Sequence, residues 1–306
     1  MTGLHISNLR CEYLTDPLGI DERAPRLSWT LASRRRGARQ TAWRVLVASS
    51  PALLARGRGD RWDSGRVEGD ATAHLAYAGR PLRSRDACHW RVQVWDEHGA
   101  VAVSAPARWT MGLLQARDWQ ARWIAADPEI LRRDPGAITP TPTTPGTPSW
   151  FRREFTVPGA VRRATLYASA RGLFELHLGG RRVGEDLFAP EWTDYDRRIH
   201  YRTYDVTGQV RTGRNVLGAV LGDGWWSGYV GWQETRGRYG SLENSLFVQL
   251  EIEFANGRRR TIASDDSWRC NTGPIRFSDF MMGECYDARR ERTGWDRAGY
   301  DDADWR

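Results

Sequence analysis

An all-β chain built as two sandwiches is what the sequence predicts, on three observations. Apolar and polar residues alternate with period two along much of the chain, and sustained 3.6-residue periodicity is nearly absent. A single Pro/Thr-rich stretch separates two strand-rich halves. With 306 residues there is also chain enough for two hydrophobic cores.

In the first half, strands are expected near Ile6–Tyr13, Arg26–Leu31, Thr41–Ala48, Thr72–Tyr77, Cys88–Trp95 and Ala107–Met111. Within the fifth, Trp90, Val92 and Val94 share one face and His89, Arg91 and Gln93 the other, as in a strand with one dry side. Ser50 is placed to cap a short helix that opens at Pro51 and runs through Leu53-Leu54. Six or seven short strands suit a fibronectin type III-like or immunoglobulin-like sandwich over residues 1–116.

Between Asp127 and Ser149, six prolines (Pro128, Pro135, Pro140, Pro142, Pro145, Pro148) are interleaved with Thr and Gly. Proline donates no ladder hydrogen bond, so residues 127–149 are expected to be an exposed loop or linker. Trp119, Trp123 and Ile124, just before it, read as a strand belonging to the second half. That half opens clearly at Trp150-Phe151. Its clearest strand is Leu246–Phe254, with Leu246, Val248, Leu250, Ile252 and Phe254 on one face. Asn256-Gly257 suits a type I′ turn returning through Thr261-Ile262-Ala263, and Gly179-Gly180 a second hairpin between Phe174–Leu178 and Arg182-Val183. With Arg163–Ala170, Ile199–Tyr204 and Val216–Leu221, residues 117–306 read as a jelly-roll or galactose-binding-like sandwich. The close at Asp304-Trp305-Arg306 comes after an acidic turn, so a truncated carboxyl end with a missing last strand is expected.

Composition excludes several classes. Hydrophobic residues at 40% and charged ones at 27% are ordinary globular usage, which argues against a disordered chain. No apolar run reaches the roughly 18 residues of a membrane span, and Met1–His5 lacks signal-peptide layout, so no membrane and a cytoplasmic location are expected. The net charge is +7, yet all 45 cationic residues are Arg and they are scattered. The short clusters Arg34–Arg36 and Arg258–Arg260 sit in turn-like sequence, which reads as solvated charge and not as a nucleic-acid surface. Cys11, Cys88, Cys270 and Cys285 form no CxxC pair and no ligand spacing with the six histidines. Four buried thiols, no metal and no cofactor are expected.

Candidate binding residues fall in three places. Gly222–Gly231 combines four glycines with Asp223, Trp225, Trp226 and Tyr229, and Trp232 comes just after. Glycines let such a loop turn sharply, and flat aromatics can stack on the apolar face of a sugar ring or anchor a protein interface. A carboxylate there can accept from hydroxyls, and both readings stay open. In the loop Glu191–Tyr195, Trp192 can stack on a ligand; Asp194 can bind a hydroxyl or a calcium ion, or close an Asx turn; Tyr195 stands beside them. Glu284, with Asp287 and Arg289, is the third, where an ion pair at the sandwich edge is the plainer reading. Asp265-Asp266 and Asp301-Asp302 fall in turn contexts and are read as turn residues, so no catalytic residue is assigned.

A series of motifs is more specific. Leu9–Leu14, Asp16–Asp21 and Pro25–Trp29 are succeeded by Trp62-Asp63-Ser64-Gly65, Trp90–Asp96, Trp109–Leu114 and Asp118-Trp119. Then come Glu191–Tyr195, Tyr201–Thr207, Leu221–Gly228 and Gly283–Arg289. In order and spacing this series resembles the amino-terminal region of bacterial α-L-rhamnosidases over essentially the whole chain. The resemblance implies an enzyme in which a further β-domain and an (α/α)6 barrel come after this region, with the acid and base of an inverting hydrolysis on the barrel. Such chemistry needs two carboxyl groups about 6.5–9.5 Å apart, and nothing in this sequence resembles the barrel. The implied role is therefore non-catalytic: recognition of rhamnose-containing glycosides or polysaccharides and scaffolding of the barrel. A stand-alone carbohydrate-binding module and a structural adaptor are the rivals. Some relatives carry a calcium-dependent rhamnose-binding insertion; only residues 127–149 occupy the candidate position, so neither module nor metal is carried over.

Overall fold

The computed structural model describes residues 3–231 and 234–306. Its chain divides into two compact units, with the boundary between Trp119 and Gln120.

In the first unit, His5–Cys11, Arg26–Ala32 and Leu75–Ala76 make a three-stranded antiparallel sheet. A larger sheet is ordered Trp62–Asp63, Gln40–Ala48, Ala87–Asp96 and Val101–Val103, with Val67–Glu68 and Ala107–Thr110 pairing at its two long strands. The long strand Ala87–Asp96 buries every second residue from Cys88 onward, which sends Trp90, Val92 and Val94 into a core with Leu27, Trp29, Val45, Val47 and Trp109. Ser50 caps the helix Pro51–Ala55 through Leu53 N–H, and Leu54 is buried. The strand expected over Thr72–Tyr77 is reduced to Leu75–Ala76.

The second unit stacks two antiparallel sheets. One runs Arg181–Arg182, Leu173–Leu178, Gly213–Gly222, Ser149–Val157, Arg269–Thr272; the other runs Arg202–Asp205, Val161–Arg171, Ser245–Phe254, Arg259–Ala263. Inward residues of both, among them Phe151, Leu166, Leu176, Leu217, Leu221, Val248 and Leu250, form one core. Gly179 and Gly180 both take positive φ in a two-residue turn, as expected. The Asn256-Gly257 turn differs: only Gly257 has positive φ, and Phe254 N–H donates to Arg258 C=O around a three-residue loop. A type I turn closed by a left-handed glycine replaces the type I′ turn, because Asn256 stays in the ordinary φ range. Trp123 and Ile124 contribute a single bridge, Ile124 to Leu246, where a strand is expected.

The strand Ser149–Val157 is buried on both faces. Phe151 and Phe155 enter the core, while Trp150 faces outward beneath Trp295 and Trp305. Arg152 lies under the same segment, donating to Trp295 C=O at 2.9 Å and to the Asp302 carboxylate. At Gly218 an added Cβ would lie 2.5 Å from the Trp295 ring, so glycine there lets the indole lie flat on the sheet. Arg306 exchanges two backbone hydrogen bonds with Cys270 at the sheet edge. All four cysteines are free thiols, but Cys285 is exposed, contrary to expectation, since it lies on the hairpin strand Gly283–Tyr286 whose residues all face solvent.

Candidate functional site: an aromatic ridge beside a buried ion pair

The long strand Gly213–Gly222 delivers Asp223 to the interior of the second unit. Its Oδ1 accepts from Ser227 Oγ at 2.8 Å and Asn244 Nδ2 at 2.9 Å. Its Oδ2 accepts from the Arg236 guanidinium and, at 3.4 Å, from Gly146 N–H. Arg236 also donates from Nη1 to the carbonyls of Thr141 (3.0 Å) and Thr144 (2.6 Å), and its backbone N–H donates to Pro142 C=O at 2.8 Å. Tyr229 Oη donates to Thr143 C=O at 3.0 Å. Burial pushes the Asp223 carboxyl above its usual range, against the pull of Arg236 and the donors around it.

Residues 127–149, expected as an exposed loop or linker, are exposed over 141–144, but these bonds show that they are no free linker. The segment contains the helix Glu129–Arg133 and is strapped onto the sandwich, with Gly146, Thr147 and Pro148 buried. Proline removes N–H donors but leaves every carbonyl, and one guanidinium fork can collect several of them. Asp223 is thus a strut whose acceptor sites are already filled from within the chain.

The aromatics separate into two groups. Trp192 and Trp225 are parallel within 3°, with ring centroids 6.3 Å apart. Phe188 packs edge-on against Trp225 at 6.1 Å, and Phe280 lies 4.8 Å from it. Trp192 is 50% exposed and Phe188 54%, and Leu187, Met281 and Met282 are also exposed. The second group turns inward. Tyr195 is buried edge-on to Trp226 (5.4 Å) and Tyr239 (4.8 Å), its phenol pushed up to about 12 by burial. Trp226 Nε1 donates to Glu243 C=O at 3.1 Å, and the Arg171 guanidinium lies 5.2 Å from its ring. Trp192 Nε1 donates to Tyr239 Oη at 2.7 Å and ties the two groups together. Gly228 is required where it stands, since a Cβ would come 2.6 Å from Asp279 Oδ2, whose carboxylate accepts from Tyr229 N–H at 3.0 Å.

Two expected residues lie apart from this arrangement. Asp194 closes a turn, its C=O accepting from Arg197 and Arg198 N–H at 2.9 Å each and its carboxylate pairing with Arg197 at 3.2 Å. Glu284 stands exposed opposite Ser278, while Arg289 clasps Asp287 at 2.8 Å in place of Glu284. Trp232 lies outside the described residues. Sequence reasoning missed Phe188, Tyr239, Phe280 and Arg236. Leu187-Phe188 and Met281-Met282, apolar pairs within loop sequence, were a usable signal for the ridge; Arg236 offered none. Among the described residues no group of His, Cys, Asp and Glu side chains is arranged to hold a metal ion.

Two antiparallel sandwiches, the second carrying an aromatic ridge beside an internal ion pair, define an all-β, two-domain protein. The matches to known proteins give the family. Residues 6–115 match the Rha78A-like N-terminal immunoglobulin domain, and residues 159–306 match the alpha-L-rhamnosidase N-terminal domain. An alpha-L-rhamnosidase of Alteromonas sp. (strain LOR) is 35% identical over 96% of this chain and 32% of its own length. The structure of the Dictyoglumus thermophilum α-L-rhamnosidase aligns with TM-score 0.88 and 30% identity over 98% of this chain and 33% of that one. The Streptomyces avermitilis α-L-rhamnosidase, solved in complex with L-rhamnose, aligns with TM-score 0.87 and 30% identity over 99% and 44%. The chain belongs to the α-L-rhamnosidase family and corresponds to its amino-terminal domains. It spans between about a third and somewhat under half the length of these relatives.

Proposed function

We propose that this chain is the non-catalytic front part of an α-L-rhamnosidase, and that its aromatic ridge docks onto the part of the protein that cleaves terminal α-L-rhamnosyl residues by inversion. The carrying observation is the division of labour around Asp223. In the ridge Phe188 and Trp192 are exposed and Trp225 and Phe280 half-buried, whereas Asp223, the carboxylate expected to grip hydroxyls beside it, is committed to Arg236, Ser227 and Asn244. Aromatic anchors without free polar partners suit a protein interface better than a sugar platform. In this reading Trp192 and Trp225 are the anchors, while Tyr195, Trp226 and Tyr229 hold their loops in place. Glu284 and Asp194 are peripheral. The rhamnosides themselves are the substrate of the whole protein. Four free thiols suit a reducing compartment, so a cytoplasmic location belongs to the same proposal.

Titration of this chain with a separately expressed family catalytic domain tests the reading. Each buried Trp anchor contributes about 2 kcal/mol or more, so Trp192→Ala with Trp225→Ala should weaken association by about a hundredfold or more while leaving the fold intact. Association unchanged by the double substitution refutes docking through the ridge. Saturable heat with L-rhamnose that disappears in the double variant favours the rival, a carbohydrate-binding face on the same aromatics.

A further inference from the structure

We propose that the cleft beneath the Pro/Thr-rich strap is a binding site for an uncharged polyol the size of a monosaccharide. The cleft has a volume of about 410 Å3 and lies between Ala125–Pro128, the strap residues 139–140 and 146–149, and the turn 242–244. That volume falls in the range of small-molecule sites, roughly 300–1,000 Å3.

Its walls and its polar groups point to the same ligand class. Leu131, Pro140, Pro148 and Leu242 offer aliphatic surface on which the C–H face of a saturated ring can lie. The side chains of Thr139 and Glu243, which are exposed, and of half-buried Ser149 have no hydrogen-bond partner among the described residues. Asp127 uses Oδ1 to accept from Glu129 N–H at 2.9 Å and leaves Oδ2 open. Two hydroxyls that both donate and accept, with two carboxylates that only accept, match a ligand rich in hydroxyl groups.

Charge narrows the class further. Arg236, the guanidinium nearest the Asp223 wall, is bound to Asp223 and to the strap carbonyls, and among the described residues that line the cleft none is cationic. Asp127 and Glu243 would repel an acidic ligand. Asp223 serves here as a fixed wall: it holds Asn244 at 2.9 Å and, through Arg236, the strap itself, so the cleft exists before any ligand arrives. Such preorganisation removes an ordering cost from binding.

The choice of a sugar as ligand rests on the proposed function above; the cleft and its polar groups do not. Calorimetric titration of the full chain with L-rhamnose, D-galactose and D-glucose, with D-glucuronate as the anionic control, tests the proposal. Saturable binding of at least one neutral sugar, and weaker or no binding of glucuronate, is expected. Ser149→Ala removes one hydrogen bond and should weaken binding about three- to tenfold. Leu242→Trp should fill the cleft and abolish binding, with thermal unfolding confirming that the variant is folded. Absence of saturable heat with all three neutral sugars overturns the proposal. So does binding that survives in folded Leu242→Trp, or binding lost in the Trp192→Ala, Trp225→Ala protein, which would move the sugar to the ridge. Failure of the parent chain to dock while it binds sugar counts against the proposed function alone, and failure of the parent chain to bind sugar while it docks counts against the cleft alone.

Discussion

Replacing Asp223 with Asn keeps the size of the side chain and its contacts with Ser227 and Asn244 but removes the charge opposite Arg236. The Arg236 side chain has 0% exposure and Asp223 4%, so the guanidinium cannot recover water without dislodging the strap. Removing one partner of a buried pair typically costs about 3–5 kcal/mol, mostly because the other charge is left uncompensated. In a unit of this size each kcal/mol lowers Tm by about 2–4 °C, so Asp223→Asn should lower Tm by about 10 °C. Scanning calorimetry at neutral pH gives the shift. A further substitution, Arg236→Met, removes the stranded charge but also the donors to the Thr141 and Thr144 carbonyls, so it should recover part of the loss, a coupling that a double-mutant cycle reads directly. A Tm within about 2 °C of the parent, or a cycle with no coupling, would refute the assignment of Asp223 as a structural strut.

The same geometry sets three further outcomes. His177 stands between Asp296 (2.8 Å from Nδ1) and Glu175 (3.0 Å from Nε2) and lies against Trp295. Burial disfavours its charge, but the two carboxylates outweigh that and raise its pKa, so its stabilisation is complete below the unfolded value of about 6.5 and fades as pH rises through the folded one. His177→Gln should therefore cost about 1–2 kcal/mol in urea denaturation at about pH 5.5 and close to nothing at about pH 9; an equal cost at both would contradict the charged clasp. Gly218→Ala should drive Trp295 off the sheet, losing about 1–3 kcal/mol together with near-ultraviolet tryptophan ellipticity. Ellman's reagent should modify one thiol of the native protein rapidly, Cys285, because burial lifts Cys11, Cys88 and Cys270 out of the reactive range, Cys88 to about 12. Rapid modification of two or more would show that the strands open locally.

Local pattern carried much of the architecture. The alternation from Cys88 to Trp95 names the buried face of its strand because side chains along an extended backbone point to opposite sides in turn. Gly179-Gly180 fixes a hairpin because few other residues take positive φ twice in succession. The same logic misread Asn256-Gly257, where Asn permits positive φ without requiring it, and the strap, where six prolines signal the loss of donors but not the arrival of Arg236 to use the carbonyls.

At the candidate site, the sequence alone named Trp192 and Trp225 together with Tyr195, Trp226 and Tyr229, without telling which of these aromatics face outward. It also supplied the motif series that carries the family. Only the tertiary structure decided that Asp223 faces inward, that Tyr195 and Trp226 support the ridge from beneath, and that Phe188 and Phe280 complete it. The reason is range: strand periodicity is written in neighbouring residues, whereas the fate of a loop carboxylate depends on which distant segment closes over it, here residues 141–146 and Arg236.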